Sequence, residues 1–375
     1  MQGTMKKAAA VALAGAMTLA ATGSAVARDA NKTLYPVVFA HGMGGFDDIL
    51  GYDYWGDDWG VFVLDPCDGF LETTCNGDIN TAQKSFVASV TPLQSSEVRG
   101  YELYQDILGY MASSGSSYVN IVGHSQGGLD LRKASRLLRE NKGYTVVKYG
   151  ISVSSPHRGS PIAKYVLDLK PGVTSVLAAL ANFYGGVVYG AGNDAYAALK
   201  QFVYKDYSST DGITTGAQLF NTNYPNSTTY MARSRSFLTT QQGLDMNPAL
   251  YLVQQGFTNI DGDGYATTDA DNDGALGIGD GSMNDTDDDG LVGLNSQQMG
   301  LRLQHSECIL CLDYVYEKTD TGNCTSLNAP TSTMMTSHNW KIPQDHLDVI
   351  GVGPDTFDEM EFYAALTDYI ADSGF

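Results

Sequence analysis

An α/β fold, with a mostly parallel sheet flanked by helices, is predicted by three stretches of this chain. The first, Val119–Asp130, is an apolar β-branched run ending in Gly123-His-Ser-Gln-Gly127, followed by an apolar stripe at Leu129, Ala134, Leu137 and Leu138 with helical spacing. The second is Thr33-Leu-Tyr-Pro-Val-Val-Phe-Ala40, a buried-strand pattern that runs into a Gly-rich loop, His41-Gly-Met-Gly-Gly-Phe46. The third is Val146–Ser154, another apolar strand, which follows the predicted helix. Strands that alternate with helices pair in parallel, because a parallel pair needs a long crossover connection.

The chain begins with a basic pair, Lys6-Lys7, then an apolar Ala8–Ala21 run, then small residues ending Ala25-Val-Ala27. This is the pattern of a signal peptide over residues 1–27, so the protein is expected to be secreted. The apolar run is short and rich in alanine and glycine, which argues against a stable membrane anchor. With 43% hydrophobic residues, residues 28–375 are long enough for one large domain with insertions. Loss of Lys6 and Lys7 would take the formal charge from −20 to −22. So acidic a surface argues against nucleic acid as a partner.

Five cysteines in an exported chain allow two internal disulfides and leave one sulfur over. Cys67 and Cys75 flank a short loop and form the first expected pair; Cys308, Cys311 and Cys324 compete for the second. Cys308-Ile-Leu-Cys311 lacks the companion ligands of a zinc site.

In order along the mature chain, the loop after the first strand carries Met43, whose amide stands where an oxyanion donor is expected. His41 reads as a structural histidine there. Leu93–Ser114 has helical spacing, with Leu103, Ile107, Leu108 and Met111 facing the sheet. At the strand-to-helix turn, Gly123-x-Ser125-x-Gly127 presents a serine nucleophile, and the Gln126 N–H at the helix start can donate to an oxyanion. Residues 162–202 are apolar and small, consistent with either a core helix or a mobile cover. Ser208–Ser236 is polar and turn-rich, which predicts loops and short edge strands; its Asn226-Ser-Thr228 reads as a surface turn.

Residues 261–285 are rich in Asp, Gly and Asn. Within them Asp269, Asp271, Asp273 and Asp280 fall at positions 1, 3, 5 and 12 of a calcium loop, with Gly274 at the turn position 6. Position 12 is Asp where Glu is usual, and helices on either side are not evident.

Several ordered stretches together resemble the secreted true lipases of Pseudomonas and Burkholderia type. They are Ala40-His-Gly-Met-Gly-Gly-Phe-Asp-Asp-Ile-Leu-Gly-Tyr-Asp-Tyr-Trp55, Ser96-Glu-Val-Arg-Gly100, the serine turn, Ser155-Pro-His-Arg-Gly-Ser160, Ile213-Thr-Thr-Gly216 with Phe220-Asn221 and Tyr224-Pro225, Asp289-Gly-Leu-Val292 and His346-Leu-Asp348. The resemblance implies an α/β-hydrolase fold and hydrolysis of acylglycerol esters at an oil–water interface by a monomer. It makes Asp289 the acid of a triad with Ser125 and His346, with Asp287 and Asp288 as fallbacks, and His157 a structural residue. Imidazole suits the base because it accepts and returns a proton near neutral pH. The resemblance also implies a lid within residues 162–202, dependence on a lipase-specific foldase, and a structural Ca2+ held by Asp245, Asp348 and the carbonyls of Val352 and Thr356. Asn295 departs from the family, where cysteine is frequent, so any disulfide here differs from theirs. Two rival readings accompany this one: a carboxylesterase of soluble short-chain esters, and a calcium-dependent binding module on an inactive hydrolase scaffold.

Overall fold

The computed structural model describes residues 32–45, 48–49, 52–53, 82–160, 162–163, 194–203, 216–241, 245–248, 250–251, 288–307, 313–318, 327, 342–351 and 357–375. Residues 1–27, expected to be a signal peptide, all five cysteines including Cys67 and Cys75, the Asp269–Asp280 loop, Val352, Thr356 and most of residues 162–202 lie outside the described residues.

The strands are β1 (Val37–Ala40), β2 (Asp48–Ile49), β3 (Tyr52–Asp53), β4 (Ser85–Val87), β5 (Val119–His124), β6 (Val147–Val153), β7 (Met231–Phe237), β8 (Leu301–Ser306) and β9 (Tyr314–Glu317). The helices are α1 (Ser96–Ser114), α2 (Gly127–Lys142), α3 (Ala195–Gln201), α4 (Ala217–Asn223), α5 (Leu294–Gln297) and α6 (Glu359–Asp372). Seven strands form one sheet in the order β4-β1-β5-β6-β7-β8-β9. Every pairing from β4 to β8 is parallel, and only β9 runs antiparallel, against β8.

Alternation of side chains along each strand divides the core into two layers. Val37, Phe39, Val122, Tyr149, Ile151 and Val153 face α6 through Phe362, Leu366 and Ile370. Val38, Ala40, Val119, Ile121 and Val147 face α1 and α2 through Leu103, Ile107, Leu131 and Leu138. Helix α1 starts at Ser96, three residues later than the sequence pattern suggested, and stops at Gly115, whose φ of 70° breaks the helical path.

The polar Ser208–Ser236 stretch departs from expectation. It supplies β7, which lies inside the sheet between β6 and β8. Its two arginines are what disguised it. Arg235 donates to Glu317 Oε1 through Nη2 at 2.5 Å and through Nε at 3.0 Å, and Arg233 donates to the Tyr149 hydroxyl at 2.7 Å. With these charges paired across strands, an alternating polar sequence can occupy the middle of a sheet.

Candidate active site

The sheet directs three chain segments to one place. Strand β5 ends at His124, and the next residue, Ser125, has a φ of 52°. A non-glycine residue in that region is strained, and such strain persists where neighbours over-determine it. Here the neighbours are glycines. A Cβ on Gly123 would collide with the backbone of Gly127 and Gly128, and one on Gly127 would run into the Ala40 carbonyl. Strand, turn and α2 therefore converge more closely than any side chain permits. Gly127→Ala is expected to lower the melting temperature by several degrees and to misplace Ser125, which differential scanning calorimetry and phosphonate labelling would read together.

Ser125 Oγ lies 2.8 Å from His346 Nε2, and His346 Nδ1 lies 2.8 Å from Asp289 Oδ2. One tautomer satisfies both contacts: Nδ1–H donates to the carboxylate and Nε2 accepts from the serine hydroxyl. Ser125, Asp289 and His346 are all buried. Asp289 is fixed by its own turn, its Oδ1 accepting from the Leu291 and Val292 amides at 3.1 and 2.8 Å. Gly290, at a φ of 90°, allows that turn. The fallback acid Asp288 accepts instead from the Gly290 amide at 2.6 Å, and Asp287 is outside the described residues.

On the other side of Ser125 are the Met43 loop and the start of α2. Among the described residues, neither the Met43 nor the Gln126 amide donates to a backbone acceptor, so both can serve a ligand oxygen. The Gln126 side chain is turned away, donating to the Gln94 carbonyl at 2.7 Å and to Ser96 Oγ at 3.2 Å. The Met43 loop is anchored from below by Arg99, which donates to the carbonyls of His41, Thr91 and Pro92 at 2.6, 3.0 and 3.0 Å and pairs with Asp130 at 2.8 Å. Met43 also packs on an apolar cluster of Leu129, Ala163, Leu199, Phe202, Val203 and Phe220. The two described ends of the 162–202 segment thus meet in one cluster with Met43.

Sequence reasoning did not single out Arg99 for this role, although it stands in the Ser96-Glu-Val-Arg-Gly100 stretch. Thr239 and Gln297, both in contact with Asp289 Oδ2, had no local signal at all. His124 was assigned only to the serine turn, yet its ring lies 4.8 Å from that of His346.

His41, His124 and His157 are fully buried, and burial lowers all three. His41, also opposed by the Arg99 charge, falls to about 3. His157 is held in its loop by Ser152 Oγ, 2.9 Å from Nε2. A histidine that is neutral when folded takes up a proton on unfolding below about 6.5, so its stabilising effect is complete above that pH and fades as pH falls. His157→Gln should weaken the fold at neutral pH while making its stability less acid-sensitive below about 6.5, by up to ~1.4 kcal/mol per pH unit. Asp130, raised to about 6 chiefly by burial, acts in the opposite sense and is common to both proteins. Urea melts of both proteins at neutral pH and near pH 5 would check this; parallel losses would refute it.

Of the residues expected to hold calcium, Asp348 is buried in the short 3-10 turn Asp348–Ile350 and Asp245 is exposed. A third carboxylate, Asp345, stands between their segments. It accepts from the Leu347 and Asp348 amides at 2.8 and 2.9 Å and from the Asn247 amide at 2.5 Å, and its carboxyl is raised by burial and also meets the Asp348 side chain. Two buried carboxyls in contact suit a shared cation or a shared proton. Among the described residues, no cluster of three or more His, Cys, Asp or Glu side chains is arranged to hold a metal ion.

No protein-family model matches the chain. It is 33% identical over 204 residues to a triacylglycerol lipase of Burkholderia plantarii, covering 50% of this chain and 51% of the relative. It is 31% identical over 181 residues to one of Pseudarthrobacter phenanthrenivorans, covering 45% and 50%. The chain therefore spans about half the length of the curated relatives it matches. Among solved structures, lipase 1 of Pelosinus fermentans superposes with a TM-score of 0.51 at 18% identity, over 91% of this chain and 99% of the other. Among the described residues, no helix is long and apolar enough to cross a membrane.

Proposed function

We propose that this chain, an α/β-hydrolase similar to bacterial triacylglycerol lipases, hydrolyses the ester bonds of acylglycerols through an acyl-enzyme on Ser125. The reading rests on one observation above the others: the unbroken Ser125–His346–Asp289 chain with a 2.8 Å contact at each step. His346 takes the Ser125 proton as Oγ attacks the carbonyl carbon, and the amides of Met43 and Gln126 hold the resulting oxyanion. The imidazolium, held by Asp289, returns the proton to the departing alcohol. Water then repeats the sequence on the acyl-enzyme and releases the fatty acid.

Acylglycerol as substrate is supported by the two relatives and by the apolar cluster that includes Met43 and reaches both ends of the 162–202 segment. A Ca2+ held by Asp348, with Asp245 and the Val352 and Thr356 carbonyls, would brace the loop that carries His346; it takes no part in bond making. Secretion after removal of residues 1–27 belongs to the same reading.

Initial rates on tributyrin and triolein, below and above their solubility limits and with calcium or EGTA, test it. Cleavage of emulsified triolein with a loss of activity or melting temperature in EGTA is the expected result. Activity confined to dissolved short esters would mark a carboxylesterase. Failure of a serine-directed phosphonate to label the protein would leave a calcium-binding module as the better account.

A further inference from the structure

Two non-glycine residues have positive φ among the described residues: Ser125, and Ser154 at 53°. The left-handed region costs an L residue roughly 1–2 kcal/mol that glycine avoids. Ser125 has its nucleophilic oxygen to account for this, whereas Ser154 lies past the end of β6 and outside the triad.

The Ser154 side chain turns toward Thr239. Its Oγ lies 2.5 Å from Thr239 Oγ1, which lies 3.0 Å from Asp289 Oδ2. An ionised carboxylate can only accept, and at 3.0 Å it is nearer and more strongly accepting than Gln297 Oε1 at 3.4 Å, so the single Thr239 hydroxyl proton is directed to Asp289 and the Ser154 proton to Thr239. The chain has one polarity, Ser154 to Thr239 to Asp289, and meets the His346 bond at the same oxygen. Ser154, Thr239 and Asp289 are completely buried, so water does not compete. Gln297 fixes the backbone of Thr239 at both polar atoms: Oε1 accepts from its amide at 2.8 Å and Nε2 donates to its carbonyl at 3.0 Å.

We propose that Ser154 and Thr239 are positioning residues whose directed hydroxyl chain holds Asp289 Oδ2 in line with His346 Nδ1. Oδ1 is already engaged by two amides, and at Oδ2 the Thr239 donor at 3.0 Å is closer than Gln297 Nε2 at 3.3 Å, so Thr239 is the shorter of the two side-chain restraints on that oxygen besides His346. The proposal rests on the hydrolase reading for its kinetic consequence, but the geometry it predicts at His346 can be read without turnover.

Three variants of the full chain test it. Thr239→Val keeps the shape and removes the donor, Thr239→Ser keeps the donor, and Ser154→Gly favours the backbone while removing the hydroxyl. On a soluble p-nitrophenyl ester, Thr239→Val should lower kcat by about tenfold or more with KM nearly unchanged, the size of a lost charge-assisted hydrogen bond. Thr239→Ser should recover most of that loss. Ser154→Gly should lower kcat by roughly threefold or more, the effect of one neutral hydrogen bond, even if its melting temperature rises. The downfield proton resonance of His346 Nδ1–H should move or broaden in Thr239→Val and Ser154→Gly and be restored in Thr239→Ser.

Unchanged kcat and an unchanged resonance in Ser154→Gly and Thr239→Val would overturn the proposal. So would equal losses in Thr239→Val and Thr239→Ser. If Thr239→Val does not fold, Ser154→Gly and Thr239→Ser still decide it. A wild-type chain that cleaves no ester, yet shows the expected changes in the resonance, would sink the hydrolase reading and leave the positioning role standing.

Discussion

Ser125→Ala is expected to lower kcat for ester hydrolysis by about 10⁵–10⁶-fold, the scale on which a triad fails when its nucleophile is removed. The fold should survive, because alanine keeps the turn occupied and deletes only an oxygen whose side-chain partner is His346 Nε2. Ser125→Gly separates chemistry from strain. It should be equally inactive but more stable than Ser125→Ala, by roughly 1–2 kcal/mol, because glycine accepts the φ of 52° without penalty. Rates on tributyrin and calorimetric melting temperatures of the two variants check both halves. Residual Ser125-independent hydrolysis at a tenth of the wild-type rate would be incompatible with the proposed mechanism.

Arg99→Leu carries the second large effect, on stability and activity together. Arg99 and Asp130 are both fully buried and joined at 2.8 Å. Removing one partner leaves the other buried without compensation, a loss of about 3–5 kcal/mol for pairs of this kind. The same substitution releases the His41, Thr91 and Pro92 carbonyls that Arg99 holds. Since His41 leads directly into Met43, kcat should fall even at temperatures where the variant remains folded. Arg99→Leu with Asp130→Leu should recover much of the stability, because a buried pair can be replaced by apolar side chains at little net cost, but not the activity. Urea melts and initial rates of the single and double variants separate the two contributions; full recovery of activity in the double variant would refute the anchoring role.

What could be read before the structure was local. The serine turn, the Met43 loop and the strands at Val37–Ala40, Val119–His124 and Val147–Val153 declare themselves through runs of β-branched residues and through glycines whose positions tolerate no Cβ. Strand β7 did not, since Arg233 and Arg235 break the apolar pattern and are accommodated by Tyr149 and Glu317 from other strands and by Tyr369 from α6. Strands β8 and β9 were missed as well. The contacts around Asp289 were least legible: Thr239 and Gln297 are 58 residues apart, and a hydrogen bond between distant polar side chains leaves no periodicity in the sequence.

The Ser125–His346 contact joins residues 221 positions apart. In kinetic terms that span makes the reactive centre one of the most nonlocal parts of the molecule. Closing so long a loop carries its entropic cost before any contact repays it, and folding slows as such contacts come to dominate. The β1, β5 and β6 strands and α1 and α2, which cover one face of them, all lie within the first 153 residues, whereas the histidine and α6, which covers the other face, belong to the last third. During synthesis the residues of the serine turn are therefore made well before the base that must sit beside them. Recovery of near-native fluorescence should run ahead of recovery of activity, so a nascent chain would carry its nucleophile unarmed until its final segment is in position.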